Sequence, residues 1–212
     1  HKPNEEKTIV GCVVNNLSEL RTLHFPIRTF RLLKTSQDEE KFKNVELYIF
    51  LGPRLYKKER AKNVLTELDY EFYKGDIHLL SLRNKESLLK DVDVFFGTAF
   101  DEPLNDFELA SLLNKIPVLF PRTAMRQNLV ENFPGIGESY FKGDSREARV
   151  KLLKLLVNIQ KYRKKLEVYY PEIFNGHGLD YYAERLQQFY EMAFAKRLRI
   201  QKKKAFKKVN RR

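Results

Sequence analysis

The residues best placed for chemistry sit between the segments 92–98 and 105–114 of this 212-residue chain, in the run GTAFDEPLNDFELASLL. Carboxylates Asp101 and Glu102 stand just before a helix start that Asn105 or Asp106 is suited to cap. Acids there complement the helix dipole, and the bare N–H groups of such a terminus suit a phosphate. A second polar loop, residues 15–26, offers Asn15, Asn16 and Arg21, with Arg28 just beyond. Arg122 and Arg126 follow the apolar run IPVLF. Guanidinium groups, side-chain amides and free N–H donors of this kind would suit a phosphate-bearing ligand.

Other chemistries have no support. No G-x-G-x-x-G follows the first apolar run, and no G-x-x-x-x-G-K-[ST] occurs, so neither a dinucleotide-binding dehydrogenase nor a P-loop NTPase is indicated. No G-x-S-x-G elbow is present. The single cysteine, Cys12, lies in an apolar run and is expected to be a core thiol. His1, His24, His78 and His177 lack the spacing of metal ligands, so no metal and no cofactor is expected.

These loops need a scaffold. TIVGCVVN (8–15), VELYIFL (45–51), IHLLSL (77–82), VDVFFGT (92–98), IPVLF (116–120) and the brief 139–141 segment read as six strands. Helices are expected at 25–42, with Pro26 near the opening, and at 54–68, 85–90, 105–114, 146–168 and 179–195. Residues 121–128 read as a loop. Apolar strands alternating with helices imply an α/β fold, a Rossmann-like doubly wound parallel sheet covered on both faces. In such a sheet ligands bind beyond the carboxyl ends of the strands, where the strand order reverses. The loops at 15–26, 52–55, 97–106 and 121–128 are therefore the ones to watch.

Charge divides the chain. The formal net charge is +12, yet residues 196–212 hold ten Lys and Arg and no acid. Elsewhere 30 Lys and Arg face 28 Asp and Glu, a net charge of +2. Two regions are expected: a domain over 1–195 and a basic tail over 196–212, as a helical extension or a solvated end. Ten cations would attract an acidic membrane surface or a nucleic acid. No run approaches the roughly 20 apolar residues of a membrane span, and the polar start HKPNEEK has no leader-like apolar core. The protein is thus expected in the cytoplasm, peripheral to a membrane if the tail docks there.

The order of the pieces carries a resemblance. DVFFGTAFDEPLNDFELASLLNKIPVLF resembles the signature of retaining GT-B glycosyltransferases of family 4. Glu102-Pro103-Leu104-Asn105 looks like that family's E-P-F-G segment, and Lys115-Ile116-Pro117-Val118 like its G-x-P-V segment. The stretch from Pro121 to Leu156 is similar to its loop, short strand, G-D turn and long helix, and Asn175 to Tyr190 to its closing segment. The resemblance covers about residues 8 to 192.

It implies the carboxyl-terminal, donor-binding half of a GT-B enzyme, moving a sugar from a nucleotide-sugar donor to a glycan or lipid acceptor without an obligatory metal. Glu102 would contact the donor sugar or the diphosphate edge. Arg21, Arg28, Asn16, Gly97 and the 104–106 backbone (Leu104, Asn105, Asp106) would surround the donor, with Arg122 and Arg126 as further cations and Phe100 stacking on the base or shaping the pocket. The acceptor-binding domain would lie on a segment outside this sequence or on a partner chain. Three positions depart from the family pattern. Its second glutamate, the ribose ligand, falls on Ala110, with Glu108 a displaced substitute; Lys115 stands where the family has glycine; and Cys12 follows Gly11 in place of a Gly-Arg pair. Those departures imply an alternative, a degenerate half kept as a binding or scaffold module.

Overall fold

In a computed structural model, residues 7–15, 17–35, 39–52, 55, 75–82, 90–100 and 104–177 are described. Six strands form one sheet: β1 (Thr8–Val14), β2 (Val45–Leu51), β3 (Ile77–Ser81), β4 (Val94–Phe96), β5 (Val118–Pro121) and β6 (Gly137–Tyr140). Their order is β3-β2-β1-β4-β5-β6, and every pairing is parallel. The described helices are α1 (Leu17–Leu20), α2 (His24–Lys34), α3 (Asp106–Leu113), α4 (Ala124–Asn132), α5 (Ser145–Val157) and α6 (Ile159–His177). Short 3-10 turns occupy Arg21–Leu23 and Glu39–Phe42.

The doubly wound parallel sheet is as the apolar pattern predicts. Central strands are buried on both faces, so their sequences run apolar without alternation. Val10, Cys12 and Val14 of β1 share a core cluster with Phe30 and Leu33 of α2 and with Leu152 and Leu155 of α5. Each such side chain contributes about 1.5–3 kcal/mol by leaving water. Val13, Phe95, Val118, Phe120, Phe107 and Leu112 are also buried. Cys12 is fully buried, as expected, and burial pushes its thiol pKa up.

Three helix expectations need correction. The segment 121–128, read as a loop, contains the start of α4, whose N-cap Thr123 accepts a hydrogen bond from the Arg126 N–H. Its polar sequence, AMRQNLVEN, offers little apolar periodicity to announce a helix. The helix expected at 146–168 is two helices. Asn158 leaves helical geometry between them, and its Nδ2 donates to the Lys154 carbonyl at 2.9 Å. Pro26 lies in the first turn of α2, near the opening as expected, but that helix stops at Lys34 rather than running to 42. The helices expected at 54–68, 85–90 and 179–195 lie, but for Leu55 and Lys90, outside the described residues.

The end of α3 is informative. Asn114 is the C-cap, Lys115 N–H donates to Leu112 O at 3.0 Å and Ile116 N–H to Ser111 O at 2.9 Å. This pair of bonds is a Schellman closure, which places the residue after the cap in the left-handed region. Lys115 occupies it with φ 60°. The position where the resembled family carries glycine is thus one whose backbone favours glycine.

The chain divides into two compact units, residues 1–170 and 171–212. The second is described only over 171–177, and the basic tail lies outside the described residues.

Candidate functional site

Strand order reverses between β1 and β4, which are neighbours in the sheet although β2 and β3 separate them in sequence. Beyond their carboxyl ends lies a cleft of about 360 Å³. From the β1 side come Val13, Asn15 and Glu19, and from the β4 side Phe95, Thr98 and Ala99. The start of α3 adds Leu104, Asn105, Asp106 and Phe107. Thr98 Oγ1 lies 3.4 Å from the Val13 carbonyl, tying the two strand ends together.

A capping box builds the α3 wall. Asn105 Oδ1 accepts from Phe107 N–H at 3.0 Å and from Glu108 N–H at 2.8 Å. Glu108 Oε2 accepts from Asn105 N–H at 3.1 Å. The same oxygen accepts from Arg126 Nε at 3.1 Å and Nη2 at 2.9 Å, and both side chains are wholly inaccessible to solvent. Arg126 in the first turn of α4 therefore holds the first turn of α3. Gly97 completes the arrangement: a Cβ there would collide with Glu108 Oε1. The Gly97 carbonyl accepts from Tyr140 Oη at 2.9 Å, and burial drives that phenol's pKa well above its ordinary value.

No protein-family model matches the chain, and no curated protein sequence matches it. Solved structures do. HepE from Anabaena, solved in complex with UDP-glucose, superposes with a TM-score of 0.70 at 14% identity, over 88% of this chain and 49% of that one. Sucrose-phosphate synthase from Thermosynechococcus elongatus gives 0.70 at 12% identity, over 90% and 46%. TarM from S. aureus, whose structure contains UDP, gives 0.66 at 15% identity, over 89% and 37%. The fold is that of a Rossmann-like half of GT-B glycosyltransferases. The chain spans about half or less of the length of these matches.

On this half-domain the sequence-predicted residues scatter. Leu104, Asn105 and Asp106 line the cleft, and Gly97 follows β4, next to the cleft residue Thr98. Asn16 and Glu102 lie outside the described residues, as does the side chain of Arg21, whose backbone forms the 3-10 turn after α1. Arg28 is exposed on α2. Phe100 packs on Phe25 and Tyr140, centroids 5.1 and 5.7 Å away, with Lys142 Nζ 5.4 Å from its ring. Arg122 bonds Glu147 at 3.0 Å and stacks 3.6 Å from the Phe141 centroid. None of Arg28, Phe100, Arg122 and Arg126 is among the described residues that line the cleft. Arg126 in particular is a buried partner of Glu108 rather than a surface cation.

Glu108 is likewise corrected as a substitute for the missing family glutamate. Its carboxylate turns inward to Arg126, and Ala110 carries no acid in its place. Sequence reasoning missed Glu19. Its Oε2 accepts from Asn15 N–H at 2.6 Å, at the mouth of the cleft. The signal was present as an acid four residues after Asn15, the reach of one helical turn. Among the described residues no group of three or more His, Cys, Asp or Glu could hold a metal ion. No described helix is long and apolar enough to cross a membrane.

Proposed function

We propose that this chain is the donor-binding half of a family 4-like glycosyltransferase, and that the cleft between β1 and β4 receives the nucleotide sugar. The observation that carries this reading is the cleft's position, at the reversal of strand order and against the start of α3. In that position a diphosphate meets backbone N–H groups, and developing charge on the leaving group is stabilised without a metal. HepE, of similar fold, was solved with UDP-glucose, which supports a sugar nucleotide as the ligand class.

In this proposal Glu102 contacts the donor sugar, Arg21 and Arg28 answer the phosphate charge, and a second domain or partner chain presents the glycan or lipid acceptor. Calorimetric titration with UDP-glucose, UDP, GDP and dTDP tests it. Saturable binding below millimolar concentration of at least one is expected, and Glu102→Gln should depress sugar transfer while leaving the nucleoside diphosphate bound. Absence of binding by all four at millimolar concentration removes the donor-site reading.

A second reading, a non-catalytic scaffold half, draws on specific observations. Ala110 replaces the ribose-binding glutamate of the resembled family, and the described cleft lining carries Glu19 and Asp106 but no Lys or Arg. Under either reading we place the protein in the cytoplasm, with Lys196 to Arg212 docking on acidic lipid. Truncation after Ala195 should then abolish sedimentation with phosphatidylglycerol vesicles.

A further inference from the structure

The first part of α6 crosses the amino ends of the strands, at the end of the sheet opposite the cleft. Its contacts fix which way it faces. Tyr162 and Leu166 are buried under it. On one flank Arg163 bonds Asp93, just ahead of β4, at 2.7 Å, and Glu167 bonds Lys115, ahead of β5, at 3.1 Å. The other flank carries Lys161, Lys164, Lys165 and Val168, at the spacing of one helical stripe. All four are exposed, Val168 at 68%, and with Gln160 they line one shallow depression. The one acid between Lys161 and Val168 is Glu167, which pairs with Lys115, and the next, Glu172, belongs to the second unit. Among the described residues Lys161, Lys164 and Lys165 have no carboxylate partner. Lys161 and Lys165 also line, with Lys154 and Asn158, a cavity of about 290 Å³ beside the start of β6. Its one carboxylate, Glu138, is already engaged by Lys151, Lys154 and the Tyr162 hydroxyl.

We propose that this stripe docks on an acidic membrane, whose anionic headgroups supply the partners that its three lysines lack. Each lysine lays its aliphatic stem along the surface and sets its ammonium group among the headgroups, and Val168 enters the headgroup boundary between them. One lysine near such a surface raises affinity about fivefold, so three raise it on the order of a hundredfold. That is too little to hold the chain alone and enough to decide which face meets the lipid. The inference goes beyond the donor-site reading and takes its anchor from the docking of Lys196 to Arg212 proposed above. The tail holds the chain, and α6 turns it so that the cleft opens to water.

The chain has no Trp, so a single tryptophan in place of Val168 reports contact with lipid without background. Met125→Trp is the control, because Met125 is exposed in α4, which follows the carboxyl end of β5. Each full-length variant is mixed with phosphatidylcholine vesicles, with and without phosphatidylglycerol, that carry brominated acyl chains as quencher. On the acidic vesicles the emission of Val168→Trp should shift to the blue and be quenched, while that of Met125→Trp stays unchanged. Replacing Lys161, Lys164 and Lys165 together by Gln should lower vesicle partition about tenfold or more, with thermal melting as the check on folding. A Val168→Trp chain that sediments with acidic vesicles without shift or quenching overturns the role of α6 and leaves the tail reading standing. Equal quenching of both tryptophans overturns it as well, because no face is then preferred. So does a triple Gln variant that partitions like the wild type, including one that loses binding to an oligonucleotide instead, which would assign the stripe to nucleic acid. If the full chain sediments with neither kind of vesicle, the tail reading and this one fall together.

Discussion

The two ends of the sheet treat their carboxylates differently. At the amino end of the strands, acids meet side-chain cations. Glu46 pairs with Lys7 at 2.6 Å; Asp93 bonds Arg163 at 2.7 Å; Glu138 is held by Lys151, Lys154 and the Tyr162 hydroxyl. At the carboxyl end, beside the cleft, Glu19 and Glu108 each accept from a backbone N–H group, and Glu108 is in addition sealed in with the Arg126 guanidinium. The amino end thus knits helices to strand starts through ion pairs. At the carboxyl end the acids and Asn105 instead satisfy the backbone N–H groups of the loop after β1 and of the α3 start. The difference teaches that charge number is a poor guide to this protein and charge partner a good one.

The largest test of that contrast is Arg126→Met against Arg163→Ala. The first strips a buried carboxylate of its cation and should cost about 3–5 kcal/mol. The second breaks a pair whose members are each about 30% exposed and should cost no more than about 1 kcal/mol. Urea unfolding of both variants measures the gap, and equal losses would erase the distinction between the two ends. Next in size, Tyr140→Phe leaves the buried Gly97 carbonyl without its donor and should destabilise by about 1–2 kcal/mol, read from the same unfolding curves.

Lys115→Gly works in the opposite direction. Relief of a left-handed backbone should stabilise by about 1 kcal/mol, less a few tenths for the lost exposed pair with Glu167, raising the melting temperature. The smallest effect belongs to the amino end. Burial pushes the Glu138 carboxyl up, but hydrogen bonds from Lys154 and Tyr162 and the Lys154 charge outweigh it and hold the pKa below the ordinary 4.5. A carboxyl depressed in the folded state contributes stability above its unfolded pKa, and that contribution is lost as pH falls through the folded value. Melting temperature should therefore fall below about pH 4.5 in the wild type, and less steeply in Glu138→Gln.

Much of this was legible before any coordinates. The strand at 45–51 is where the apolar run puts it, and α3 fills the helix expected over 105–114, capped by Asn105, one of the two residues suited to it. The site was legible only along one edge: Leu104, Asn105 and Asp106 line the cleft, while Arg126 proved an interior residue and Glu19 went unnoticed. Arg126 misled because a buried, paired arginine and a solvated one leave the same local trace; only the neighbour 18 residues away tells them apart.

Sequence by itself determined the α/β class, the strands, their apolar character and the cap of α3, because these depend on contacts a few residues apart and on the periods of helix and strand. Tertiary structure alone decided that β1 lies against β4, so that Asn15 and Glu19 face Thr98 and Asn105 across one cleft. It alone decided which carboxylate is sealed in and which is left at the mouth. Pairing across some eighty residues, as between Ile9 N–H and Asp93, is set by the packing of whole layers, and no local period records it.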